Sequence, residues 1–212
     1  MIWNCRNLAD SVNDWVVGWG NNMKRVMIAV MIIGLVTGIA IAGTPMAYFS
    51  PKGGCEKIIC DAISHSKTTV VVSAYVYCNK AIVAEAIKAH KRGVVVSIIV
   101  DPAQVTDSNS QSVVSFTNGV NIWVDSKHAI FHNKYIIIDH KKVITGSFNF
   151  SFNAENRNAE NILVIQDKKL AAQYEQDWEK HRSHSVSFNG VIAIPREAAN
   201  TEPSDDGEHP EQ

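Results

Sequence analysis

Apolar residues change their spacing in a regular order along the chain. In "GCEKIICDAISHS" Ile58, Ile59, Ala62 and Ile63 recur at helical intervals, whereas "TTVVVSAYVY" is an unbroken β-branched and aromatic run that predicts a buried strand. Asn79 caps a helix over "KAIVAEAIKAHKR" and Gly93 stops it. "VVVSIIVD" is a second buried strand ending at Asp101-Pro102, "SNSQSVVSFTNG" a helix closed by Asn118-Gly119, and "VNIWVD" a third strand. Strand and helix in alternation, with continuous apolar strands, predict parallel pairing under helices. The pattern then shifts. "NKYIIID", "KVITGSFN" and "ENILVIQD" are three closely spaced strands, the first two joined by a tight turn at His140-Lys141, and "KKLAAQYEQDWEKHRS" is a closing helix with Leu170, Tyr174 and Trp178 on one stripe. The expected fold is α/β: a mixed, mainly parallel β-sheet flanked by helices on both faces, with an added β-hairpin.

Composition refines the boundaries. Val26 to Gly43 is an uncharged, mostly apolar run behind Lys24-Arg25, with Ala40-Ile41-Ala42 in a cleavage-like pattern. Residues 23–43 therefore read as a signal peptide, or as a membrane anchor, since the run just suffices to span a bilayer. Either reading predicts an exported protein, periplasmic or anchored in the inner membrane and facing the periplasm. Residues 1–22 suit no ordinary signal and are an N-terminal extension that a start codon assigned too early would explain; the catalytic domain is expected over 47–188. The tail, 195–212, holds six acids against one Arg and has little to bury. Without the tail the picture changes from a net charge of -1 to a mildly basic domain. Cys55, Cys60 and Cys78 remain after cleavage and Cys5 does not; buried free thiols are the reading, with a Cys55 or Cys60 bridge to Cys78 the alternative. No C-x-x-C pair points to zinc.

The hairpin carries unusual chemistry. His132 and Lys134 share a strand face, and Ser147 and Asn149 share one on the next strand, so four polar side chains meet at the mouth of an apolar sheet. Unpaired, each costs about 1–3 kcal/mol to bury. His132-x-Lys134-x4-Asp139, then Gly146-Ser147-x-Asn149, then Glu160 in "NAEN", resembles the HKD motif of the phospholipase D superfamily, and within it the small single-motif endonucleases exported by bacteria. The resemblance runs from about Tyr48 to His184.

That resemblance implies a phosphodiesterase using no cofactor and no metal. His132 is then the nucleophile that forms a phosphohistidine, and Lys134, Ser147 and Asn149 bind phosphate oxygens. Glu160 accepts a bond from the second imidazole nitrogen. With one motif copy, a homodimer must bring two His132 together, one attacking and one acting as acid. Asp139, seven residues from His132, falls on the opposite strand face and is expected to pair a turn donor or a basic side chain. Arg157 is a candidate contact to a nucleic-acid backbone. Plainer readings apply elsewhere. His65, His90, His140, His181 and His184 read as exposed helix-end or turn residues, His128 and His132 as a non-metal pair, and Lys141-Lys142 as a solvated turn near enough to the pocket to steer phosphate. The substrate stays open between nucleic acid and, with membrane association through residues 26–43, phospholipid. A non-catalytic binding role conflicts with the intact set.

Overall fold

The computed structural model describes residues 43–190. The N-terminal extension, the apolar run apart from Gly43, Cys5 and the acidic tail lie outside the described residues. Strand β1 (Met46–Ser50) precedes α1 (Cys55–Ser64), β2 (Thr69–Ala74), α2 (Lys80–Lys91), β3 (Val95–Val100) and two short helices, α3 (Ala103–Thr106) and α4 (Ser112–Thr117). Then come β4 (Asn121–Val124), β5 (Lys134–Ile138), β6 (Lys142–Gly146), α5 (Phe152–Asn156), β7 (Glu160–Gln166), α6 (Lys168–Arg182) and β8 (Val186–Ser187).

All eight strands form one mixed sheet in the order β1-β7-β6-β5-β2-β3-β4-β8. The helix-linked strands β2, β3 and β4 pair in parallel. The other ladders are antiparallel, so the balance within the sheet is not the mainly parallel one expected. Two of these five ladders are at the rims, and the other three join the later strands to one another and to β2. β1 has an irregular, largely exposed pattern and β8 is two residues long, so neither leaves a periodic signal.

Helices cover both faces. On one, Val70, Val72, Ile136, Ile138, Ile144 and Ile162 pack with Ile59 and Ile63 of α1 and Ile82, Val83 and Ala86 of α2. On the other, Ile99, Tyr135, Ile137 and Val143 meet Ala171 and Trp178 of α6, with Leu170 and Tyr174 at the margin. Trp178 is fixed further by its indole N–H, which donates to the Val72 carbonyl at 3.0 Å. Asn79 caps α2 by accepting from the Ile82 amide at 3.0 Å. Among the described residues no helix is long and apolar enough to cross a membrane.

Cys55, Cys60 and Cys78 are free thiols, and the bridge to Cys78 is not formed. Burial pushes the Cys60 thiol up to about 11, which leaves it unreactive near neutral pH.

Candidate active site

The three parallel strands end at one rim, where Ala74, Val100 and Val124 stand in register, and β5 begins there with Lys134 opposite Ala74. The C-terminal rim of parallel strands is the usual place for a site in an α/β sheet. His132 lies two residues before Lys134, ahead of the strand rather than on it, and its position is set from both sides. The Phe131 ring is buried under α6 and its amide donates to Asp101 Oδ2 at 2.9 Å; on the other side the Tyr75 amide donates to the Asn133 carbonyl at 3.0 Å. Asp101 is itself wholly buried and also accepts from the Ala103 amide at 2.9 Å. The exposed His132 ring packs on Tyr75, centroids 4.4 Å apart.

Lys134 stands over the same Tyr75 ring, its Nζ 5.0 Å from the centroid, and donates to the His132 carbonyl at 2.7 Å. Burial lowers its pKa, and the Glu160 carboxylate opposes part of that shift. Tyr75 and Asp101 were not singled out from the sequence as site residues. Their signal is weak: one ends a strand read as core, and the other looked like a strand terminator.

Ser147 and Asn149 also lie beyond their strand, since β6 ends at Gly146. Backbone crowding explains where it ends. A Cβ on Gly146 would stand 2.2 Å from the Asn161 carbonyl oxygen, so only glycine permits this approach of β6 to β7. Alternation nevertheless continues off the strand. Phe148 and Phe150 are buried in the core, and the Phe150 carbonyl accepts from the Cys78 and Asn79 amides at 3.0 and 2.8 Å. Ser147 and Asn149 are thereby turned the other way. Ser147 Oγ accepts from the Asn161 amide at 3.1 Å, and Asn149 Oδ1 is buried without a hydrogen-bond partner among the described residues.

Glu160 opens β7 and accepts from Asn158 Nδ2 at 3.1 Å. Its electrostatic partner is Lys134; among the described residues it makes no hydrogen bond to His132. The expected imidazole–carboxylate bond is therefore absent within one chain. Arg157 is exposed at the end of α5, its guanidinium 5.9 Å from the Phe152 ring centroid.

Asp139 is at the far end of β5, about 13 Å of strand away from Lys134. Its φ of 52° and the 55° of His140 put the turn one residue earlier than expected, with the Lys141 amide donating to the Ile138 carbonyl at 3.2 Å. Aspartate tolerates this left-handed conformation better than most residues. Oδ1 accepts from the amides of Lys67, Thr68 and Thr69 and from the Thr68 hydroxyl, at 2.8–3.3 Å. Burial alone would raise its pKa, but these donors together outweigh it and hold the carboxyl down at about 2. Asp139 is thus a structural clamp between the hairpin and the start of β2. Lys141 and Lys142 share this far end, in keeping with a solvated turn and away from the place where they could steer phosphate.

A pH dependence follows from the clamp. Because the folded pKa lies below the unfolded value, the stabilisation is complete above about pH 4 and is lost as pH falls toward 2. Asp139→Ala, which strands three backbone amides, is expected to lower unfolding free energy by about 2–3 kcal/mol at pH 7. In urea melts the gap from the native protein should shrink on acidification; an unchanged gap at pH 3 would contradict the clamp.

Two of the histidines depart from expectation. His140 is exposed and bonds Glu175 at 2.7 Å, but His181 and His184 are mostly buried around Asp125, together with His128.

The chain is similar to several known proteins. A family model described as "Cardiolipin synthase, PLD-like domain" matches residues 59–182. The chain is 39% identical over 142 residues to the phospholipase D of Rickettsia prowazekii (strain Madrid E), covering 66% of this chain and 69% of that protein. It is 30% identical over 142 residues to the mitochondrial cardiolipin hydrolase of Chlamydomonas reinhardtii, covering 60% and 63%. Among solved structures, the phospholipase D family member Nuc from Salmonella typhimurium matches with a TM-score of 0.65 and 31% identity, over 69% of this chain and 98% of that one.

Proposed function

Since the chain belongs to the phospholipase D superfamily and is a phosphodiester hydrolase of that kind, we propose that it is a metal-independent endonuclease with little sequence preference, working through a phosphohistidine in a site shared by two chains. The observation that carries this reading is the grouping of His132 and Lys134 on one tyrosine ring at the open rim of the sheet. An exposed imidazole next to a half-buried ammonium is equipped to attack and to neutralise a phosphodiester. Lys134 and the exposed Arg157 address the phosphate backbone rather than base edges, which supports a substrate recognised by charge.

In the proposed cycle, a His132 nitrogen forms a bond to phosphorus while the leaving oxygen takes a proton from the second His132. Water then displaces the imidazole and returns that proton. Ser147 and Asn149 hold non-bridging oxygens, and the orphaned Asn149 Oδ1 awaits a donor from outside the chain, such as the attacking water. Two features support the two-chain arrangement. Both nitrogens of His132 are free of hydrogen bonds among the described residues, leaving one for phosphorus and one for a carboxylate such as Glu160. Phe49 and Leu163, large apolar side chains 66% and 39% exposed, lie on β1 and β7 beside Asn161, the partner of Ser147, and present a surface for a second copy. Export through residues 23–43 to the periplasm, cleaved or anchored, belongs to the same proposal.

A second reading, phospholipase D action on lipid head groups, is favoured by the names of the relatives above and by exposed Phe152 and Ile130. Purified protein incubated with plasmid DNA and with cardiolipin or phosphatidylcholine vesicles, with and without EDTA, decides between them. Nicked plasmid and intact lipid support the first reading, and the converse supports the second. Because one imidazole must be neutral while its mate is protonated, the rate is expected to follow a bell-shaped pH profile. A flat profile between about pH 5 and 8 contradicts paired imidazoles.

A further inference from the structure

We propose that Asp125, His128, His181 and His184 form a structural site for one divalent transition-metal ion, zinc by preference. Their ligand atoms all lie within 4.8 Å of one another. His128 Nδ1, His181 Nδ1 and His184 Nε2 stand 3.0, 2.9 and 3.1 Å from a single oxygen, Asp125 Oδ2. The three rings surround it with centroids 4.9–5.5 Å apart.

Three imidazoles converge on one buried carboxylate: His128 Nδ1 stands 3.0 Å from both oxygens, and Oδ1 also accepts from the Lys127 amide at 3.1 Å. A cation at their common centre would bind all four groups at once. With bonds of about 2.0–2.1 Å, the ligands of tetrahedral zinc stand roughly 3.3 Å apart, near the 2.9–3.1 Å from each nitrogen to Asp125 Oδ2, and the whole set, within 4.8 Å, needs only a small contraction to close on an ion. The donor set, three imidazoles and a carboxylate, suits zinc better than calcium or magnesium, which prefer all-oxygen shells.

Supporting contacts are in place too. The other nitrogen of His181 is 3.6 Å from Asp177 Oδ1, and the Lys127 amide orients the Asp125 carboxylate, the outer partners that ligating groups generally have. Asp125 is fully buried and His181 and His184 are partly buried, whereas His128 is 43% exposed and leaves an entry from solvent. In sequence the ligands form two close pairs, Asp125-x2-His128 and His181-x2-His184, so that two short segments supply the whole set.

Four protein ligands complete a tetrahedron and leave no position for substrate, so the ion is structural. It joins the segment after β4 to the end of α6. The Phe131 ring, 5.1 Å from His181, passes this constraint to the residue next to His132. The site is separate from the phosphate-binding groups.

The test uses the untagged full chain, purified without chelator, with zinc measured by elemental analysis and stability by thermal melting. One zinc per chain is expected, and stripping it should lower the melting midpoint by about 5–10 °C, restored by ZnCl2. Co2+ in its place should give the strong visible bands of a tetrahedral complex. His184→Ala, and independently the more exposed His128→Ala, should each abolish stoichiometric zinc and the ZnCl2-dependent shift. Less than about a tenth of an equivalent of zinc after ZnCl2 addition, or the same thermal shift in both variants, overturns the proposal. Plasmid cleavage that persists in the His128→Ala protein separates this site from the chemistry at His132, so a failed metal site and a failed nuclease reading give different results.

Discussion

His132→Asn is expected to lower phosphodiester turnover by at least about 10⁴-fold, or about 5.4 kcal/mol of transition-state stabilisation, the scale on which loss of a covalent nucleophile acts. Asparagine keeps polarity and most of the volume but has no nitrogen able to form a stable bond to phosphorus. The fold should be indifferent to it. His132 is exposed and its contact within the chain is the Tyr75 ring, so circular dichroism and urea melts should match the native protein to within about 0.5 kcal/mol. The same variant tests the shared site. If native and His132→Asn chains are refolded together in equal amounts, random pairing yields about a quarter native dimers, and mixed dimers contain only one imidazole. Activity near a quarter of the all-native value is expected; activity near a half means that each chain works alone, and the two-chain mechanism fails.

Lys134→Ala is expected to cost about 10²–10³-fold in kcat with a smaller change in KM, as removal of one electrostatic donor to a developing oxyanion does. The ammonium is positioned by three neighbours: the Tyr75 face, the His132 carbonyl and the Glu160 charge. Arginine should not restore full activity, since a planar fork cannot occupy the place of a compact ammonium over the ring. Because burial lowers the Lys134 pKa, the ammonium is lost at a lower pH than an ordinary lysine's. Activity should therefore decline on the alkaline side before free lysine titrates, and a kcat of Lys134→Ala within threefold of native would remove this residue from the mechanism.

Much of this site was legible in the chain because its residues are local. His132, Lys134, Ser147 and Asn149 lie within a single hairpin and its extensions, where spacing sets direction. Even there the strands proved shorter than expected. His132 precedes β5 and Ser147 and Asn149 follow β6, so their orientation depends on anchors elsewhere: buried Phe131, the core-facing Phe148 and Phe150, and the carbonyl of Asn161 above Gly146. Asp139 shows the reverse case. Its parity placed it off the phosphate face, but its partners, the amides of Lys67 to Thr69, belong to a distant connection that no local pattern identifies.

The sequence by itself determined the buried strands, the α2 and α6 helices and the residue types of the phosphate site, because periodicity and short-range spacing are properties of consecutive residues. Tertiary structure alone decided how the hairpin, β7 and the two rim strands join the sheet, and so its antiparallel share. It also brought Tyr75 and Asp101 to the His132 loop, and His181 and His184 to Asp125. Contacts between segments thirty or more residues apart arise from how the helices close over the two sheet faces, and that closure is a property of the whole core rather than of any stretch within it.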